Sequence, residues 1–126
     1  MRQYVTSEGT TALLKDESVD MEATHRPSVD PIIDAAGPIY SGLGYDLIIT
    51  SAADGKHSTG SLHYPETGRF EGGQALDLRC AQWHGYPKED RLEIERRLEE
   101  RLPNEYDVVG ESGGHNSHIH IERDLS

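Results

Sequence analysis

Apolar and polar residues alternate strictly in two short stretches of the chain. In His118-Ile119-His120-Ile121-Glu122 the isoleucines fall on one side and the two histidines on the other. In Ala75-Leu76-Asp77-Leu78-Arg79 the leucines occupy one side and Asp77 the other. A period of two is that of a strand, whose successive side chains point to opposite faces of a sheet. Leu76, Leu78, Ile119 and Ile121 are therefore expected in the core, with Asp77, His118 and His120 on the opposite face. The unbroken apolar run from Tyr45 to Thr50 reads as a buried strand, and Tyr106 to Val109 as another.

Helical spacing occurs twice. Over residues 88–102, Ile94, Leu98 and Leu102 form an i, i+4 ladder between Pro87 and Pro103, and the remaining Glu and Arg residues read as a solvated face. Over residues 28–41, Ser28 or Asp30 can cap, Pro31 suits a first turn, and Ile32, Ile33, Ala36 and Ile39 form a stripe. Pro38 should kink or end that helix early, and Gly42 and Gly44 stop it. Residues 51–74 and 110–116 read as glycine-rich loops, and residues 1–10 as frayed or weakly paired. Helices segregated from runs of strands predict an α+β fold: a small, mainly antiparallel sheet with helices packed on one side and a single zinc site.

The 126 residues suit one domain, 1–126. A net charge of −11 argues against nucleic acid or an anionic membrane surface as a partner, because both need clustered Lys and Arg. No run approaches the ~18 apolar residues of a membrane span, and Met1 to Leu14 lacks the pattern of a secretory signal. Cys80 is the one cysteine, so no internal disulfide forms.

The alternating strands give the chemistry. His63, at the end of a serine–glycine loop, joins Asp77 and His120 in a set of two imidazoles and one carboxylate. Catalytic zinc takes three such ligands and keeps a fourth position for water. The same donors also suit non-haem Fe(II), although that reading favours a close His-x-Asp pair. A carboxylate inside an apolar strand costs free energy unless it is paired or metal-bound, which sets Asp77 apart from a turn residue. Glu111, between the Val108-Val109 strand and Gly113-Gly114, stands where a general base is wanted, or is an ordinary exposed glutamate. His57, His115 and His118 are oxyanion-stabilising candidates or exposed loop histidines, while His25 and His84 have no partners in sequence.

The run Thr50-Ser51-Ala52-Ala53-Asp54-Gly55-Lys56-His57-Ser58-Thr59-Gly60-Ser61-Leu62-His63-Tyr64, then Gly73-Gln74-Ala75-Leu76-Asp77, then Glu111 and His118-Ile119-His120, resembles a known group. These are the zinc D-alanyl-D-alanine carboxypeptidases, dipeptidases and L-alanyl-D-glutamate endopeptidases of cell-wall metabolism and phage lysis. The hedgehog signalling domain shares that fold, and Ser-Leu-His-Tyr looks closest to its version. The resemblance covers about residues 45–122. It implies zinc on His63, Asp77 and His120, Glu111 as the base that activates water, His118 and His57 steadying the oxyanion, and Ser61 at a substrate carboxylate.

Three departures stand out. Pro65 to Glu71 looks like an insertion that bulges beside the metal, with Phe70 as its anchor. The loop from Glu111 to His118 is long, so His115 competes for the role of base. Where the peptidases often carry an arginine in the Thr-Ser segment, Asp54 and Lys56 stand nearby instead. The expectation is a monomeric zinc metallopeptidase acting on peptidoglycan stem peptides. It would be cytoplasmic, without a signal peptide of its own, and released to the wall by phage lysis or carried on a virion. The alternative is a non-catalytic, zinc-containing binding module of hedgehog-like fold.

Overall fold

In a computed structural model, residues 1–52, 73–111 and 117–124 are described. They form an α+β fold of one six-stranded sheet and two helices. The elements in chain order are β1 (Gln3–Val5), β2 (Thr11–Leu14), α1 (Arg26–Gly42), β3 (Ile48–Ser51), β4 (Ala75–Arg79), α2 (Lys88–Arg101), β5 (Tyr106–Val109) and β6 (His118–Arg123). A single 3-10 turn, Gln82–His84, precedes α2. The strand order is β1-β2-β3-β4-β6-β5. Neighbours are antiparallel except β2 and β3, which run parallel because α1 serves as the crossover between them.

One face of the sheet is covered. Val29, Ile32, Ile33, Ala36, Ile39 and Tyr40 of α1 share a core with Ile94 and Leu98 of α2 and with Leu76, Leu78, Ile119 and Ile121 of the sheet. Those four strand residues are completely buried, as the alternation predicts. Each contributes about 1.5–3 kcal/mol by leaving water. A one-residue slip of β4 against β6 would turn Asp77 into this core and Leu76 and Leu78 out of it, so the burial fixes the register that aligns the polar face.

α1 begins earlier and runs longer than the sequence reading. Its N-cap is His25, not Ser28 or Asp30, and Pro27 takes the first-turn place. The Ser28 hydroxyl lies 2.7 Å from His25 Nδ1 and is itself buried. Pro38 does not end the helix, which continues to Gly42. The residues after it explain this: Ile39 and Tyr40 are buried, and the Tyr40 hydroxyl donates to the Arg79 carbonyl at 3.0 Å. Packing of that last turn outweighs the hydrogen bond that proline removes.

Residues 1–10, read as frayed or weakly paired, contain an edge strand, with Gln3, Tyr4 and Val5 opposite Leu13, Ala12 and Thr11. The charged face of α2 is not wholly solvated either, since Arg91 and Glu95 are 3% and 5% exposed. Among the described residues, no helix is long and apolar enough to cross a membrane.

Candidate metal centre

The face of β4, β6 and β5 opposite the core carries the polar residues. In the antiparallel register Asp77 stands opposite His120, Arg79 opposite His118, and Ala75 opposite Glu122. On the far side of β6, Val109 faces His120 and Asp107 faces Glu122. Asp77 and His120 are thus brought together from 43 residues apart by pairing alone.

Asp77 is the hub. Its Oδ1 lies 2.9 Å from His120 Nδ1, and its Oδ2 lies 3.9 Å from His118 Nε2. The carboxylate is nearly enclosed, with 12% of its side chain exposed, so the imidazoles beside it offset a desolvation that would otherwise cost several kcal/mol. His118 Nδ1 in turn lies 2.9 Å from the Ser117 hydroxyl. His120 has a second carboxylate, with Nε2 2.7 Å from Glu122 Oε1. Burial works against charge on this ring. Hydrogen bonds to Asp77 and then Glu122 outweigh it and raise the His120 pKa from 6.5 to about 9.

Asp77 and His120, the two described members of the expected donor set, have a spacing compatible with ligands of one zinc ion. Two ligands on a tetrahedral ion, each about 2.0–2.1 Å away, stand roughly 3.3 Å from one another. The 2.9 Å between Asp77 Oδ1 and His120 Nδ1 is close to that span. The protonated ring donates to both carboxylates. The neutral ring with its proton on Nε2 donates to Glu122 and turns the Nδ1 lone pair toward Asp77, as an ion shared by the two requires. The expected third ligand, His63, lies outside the described residues, as do His57, Ser61, His115 and the 65–71 segment with Phe70.

Glu111 sits just past β5, two residues beyond the Val109–His120 pair. Its Oε2 is 3.2 Å from both Nε and Nη2 of Arg91, whose Nη1 donates to the Tyr86 carbonyl at 2.6 Å. Arg91 is buried on α2, so a helix packed against the core holds this carboxylate in place. Behind them a Cβ at Gly110 would meet Glu95 Oε1 at 2.8 Å and Ile119 Cγ1 at 3.2 Å, so a side chain there would have to displace the Glu95 carboxylate. Cys80 offers no competing nucleophile, since burial pushes its thiol up to about 12.

Two participants escaped the sequence reading. Glu122 was legible as the next same-face residue after His120, at the same period of two. Arg91 was hidden among the charges of α2, where helical spacing alone does not separate a buried guanidinium from solvated ones. Among the described residues, the group of three possible ligands whose atoms all lie within 4.8 Å of one another is Asp107, Glu122 and Asp124, not Asp77, His118 and His120. Glu122 is also engaged by His120. Comparison with family models, with curated proteins and with solved structures finds no match.

Proposed function

We propose that this chain is a zinc metallopeptidase that cleaves peptide bonds in peptidoglycan stem peptides, of the D-alanyl-D-alanine carboxypeptidase or L-alanyl-D-glutamate endopeptidase type. The observation that carries the reading is the Asp77–His120 pair at 2.9 Å on the face of the sheet opposite the core, with His118 beside it. In this reading His63, Asp77 and His120 hold the ion. Zinc in such a site supplies a Lewis acid and lowers the pKa of water to about 7. Glu111, steadied by Arg91, takes the proton of the attacking water and passes it to the leaving amine. His118 stabilises the developing oxyanion, together with His57, and Ser61 meets a substrate carboxylate. The protein acts as a monomer.

The test is incubation of the zinc-loaded protein with purified peptidoglycan and mass analysis of what dissolves. Stem-peptide fragments released by the parent and not by Glu111→Gln support the reading. Intact peptidoglycan after prolonged incubation sinks it.

One observation favours a second reading, a zinc-containing binding module without turnover. One oxygen of the expected base is already engaged by a buried guanidinium, as in a structural ion pair. Zinc content does not separate the two readings, but hydrolysis does.

A further inference from the structure

β1 closes one end of the sheet, and among the described residues no strand pairs with its outer edge. The Thr6 N–H donates to the Thr10 carbonyl at 3.0 Å, and the Leu14 N–H to the Arg2 carbonyl at 2.8 Å. Residues 2, 4 and 6 thus turn their backbone toward β2, and by antiparallel alternation Gln3 and Val5 turn theirs outward. The Val5 carbonyl accepts from Arg26 Nη2 at 3.2 Å. The Gln3 N–H and C=O and the Val5 N–H face outward with no partner among the described residues. Edge strands are commonly guarded by Lys, Pro or a bulge, and Gln3-Tyr4-Val5 has none of these. At the opposite edge of the sheet the Tyr106 N–H is already taken, by the Pro103 carbonyl at 3.0 Å.

A cavity opens at each end of β1. One, of about 550 Å³, lies between residues 5–8 and α1, and Glu8, Asp30 and Asp34 line it. The other, of about 490 Å³, lies at Gln3 and Tyr4, and Glu17, Asp20 and Glu22 line it. The first is tied to β1 itself: the Tyr4 hydroxyl donates to Asp30 at 2.6 Å and the Thr6 hydroxyl to Asp34 at 2.7 Å. Each lining also holds one arginine, and both are engaged. Arg26 meets Asp30 at 3.4 Å, and Arg2 donates to the Asp16 and Val19 carbonyls. Six carboxylates against two guanidiniums give this edge a negative field. Val5, 49% exposed, offers an apolar contact between the two cavities.

We propose that the β1 edge docks an extended, basic segment of a partner polypeptide, which adds a strand to the sheet. The inference stands apart from the zinc reading, since β2 and β3 separate β1 from the strand that carries Asp77. Backbone hydrogen bonds to Gln3 and Val5 supply the pairing, and Lys or Arg side chains reaching the two cavities select the sequence. Charge decides between the occupants. A second copy of this chain, at net charge −11, would bring its own carboxylates against these, whereas a cationic segment neutralises them.

The probe is a dye-labelled peptide that alternates lysine and valine, and its counterpart carries glutamate in place of lysine. Anisotropy titration onto the full chain at low salt should show the basic peptide bound ~10-fold more tightly than the acidic one, or better. Neutralising three exposed carboxylates of the cavities together, Glu8→Gln, Glu17→Gln and Glu22→Gln, should weaken its binding ~10-fold. The same change of charge at exposed residues that line neither cavity, Asp46→Asn, Glu89→Gln and Glu99→Gln, should leave it within about 2-fold of the parent. Hydrogen exchange of the Gln3 and Val5 amides should slow in the complex. Equal weakening by the two triple variants, no preference for the basic peptide, or unchanged exchange at both amides overturns the proposal. Slowing of those amides with protein concentration alone also overturns it, and assigns the edge to a second copy.

Discussion

Held between Asp77 at 2.9 Å and Glu122 at 2.7 Å, His120 has a carboxylate at each ring nitrogen. If Nδ1 faces the ion, Glu122 fixes the useful tautomer from behind. Removing such a partner costs about 10–100-fold in metal affinity. Glu122→Ala should therefore bind zinc that much more weakly in a competition titration, and affinity equal to the parent's would deny Glu122 this role. A pH dependence follows for the zinc-free protein. A raised pKa means that the folded state binds the proton more tightly than the unfolded chain. The stabilisation is then complete below about 6.5 and is lost as pH rises through about 9. Thermal melts of zinc-free protein should fall across that window, and less so in Glu122→Ala. A parent whose melting temperature is flat from pH 6 to pH 9.5 would contradict the clamp. At the same scale, Glu111→Gln keeps the shape and removes the base, so zinc should stay while turnover falls by ~100-fold or more. Full activity in Glu111→Gln with a dead His115→Ala would move the base to His115.

At the scale of elements, β4, β5, β6 and α2 were legible within a residue or two, because each carries an uninterrupted period of two or 3.6 between clear breakers. β1 and β2 were not. Gln3–Val5 and Thr11–Leu14 are short, and β1 is an edge strand stabilised by pairing rather than by an apolar face of its own. The passage of α1 through Pro38 was illegible for a related reason, since Ile39 and Tyr40 decide it by contacts with distant strands. Of the site, the shared face of Asp77, His118 and His120 could be read from alternation. The grip of Arg91 on Glu111 could not, because it joins two elements 20 residues apart. Gly110, beside Glu111, packs against Glu95 and Ile119. Gly110→Ala should cost about 1–3 kcal/mol of stability by forcing Glu95 and Ile119 apart. Urea unfolding measures it, and a variant as stable as the parent would show that the close approach is not required.

At the scale of the whole molecule, the sheet divides the labour. Its core face buries the side chains that set the register, and its opposite face receives the polar row that the register aligns. The central claim is that this polar face holds one zinc ion through His63, Asp77 and His120. The direct measurement is zinc per chain by elemental analysis of purified protein, compared with His63→Ala and His120→Ala. One equivalent in the parent and loss of most of it in both variants is the predicted result. A parent without zinc, or full retention in both variants, would contradict the account.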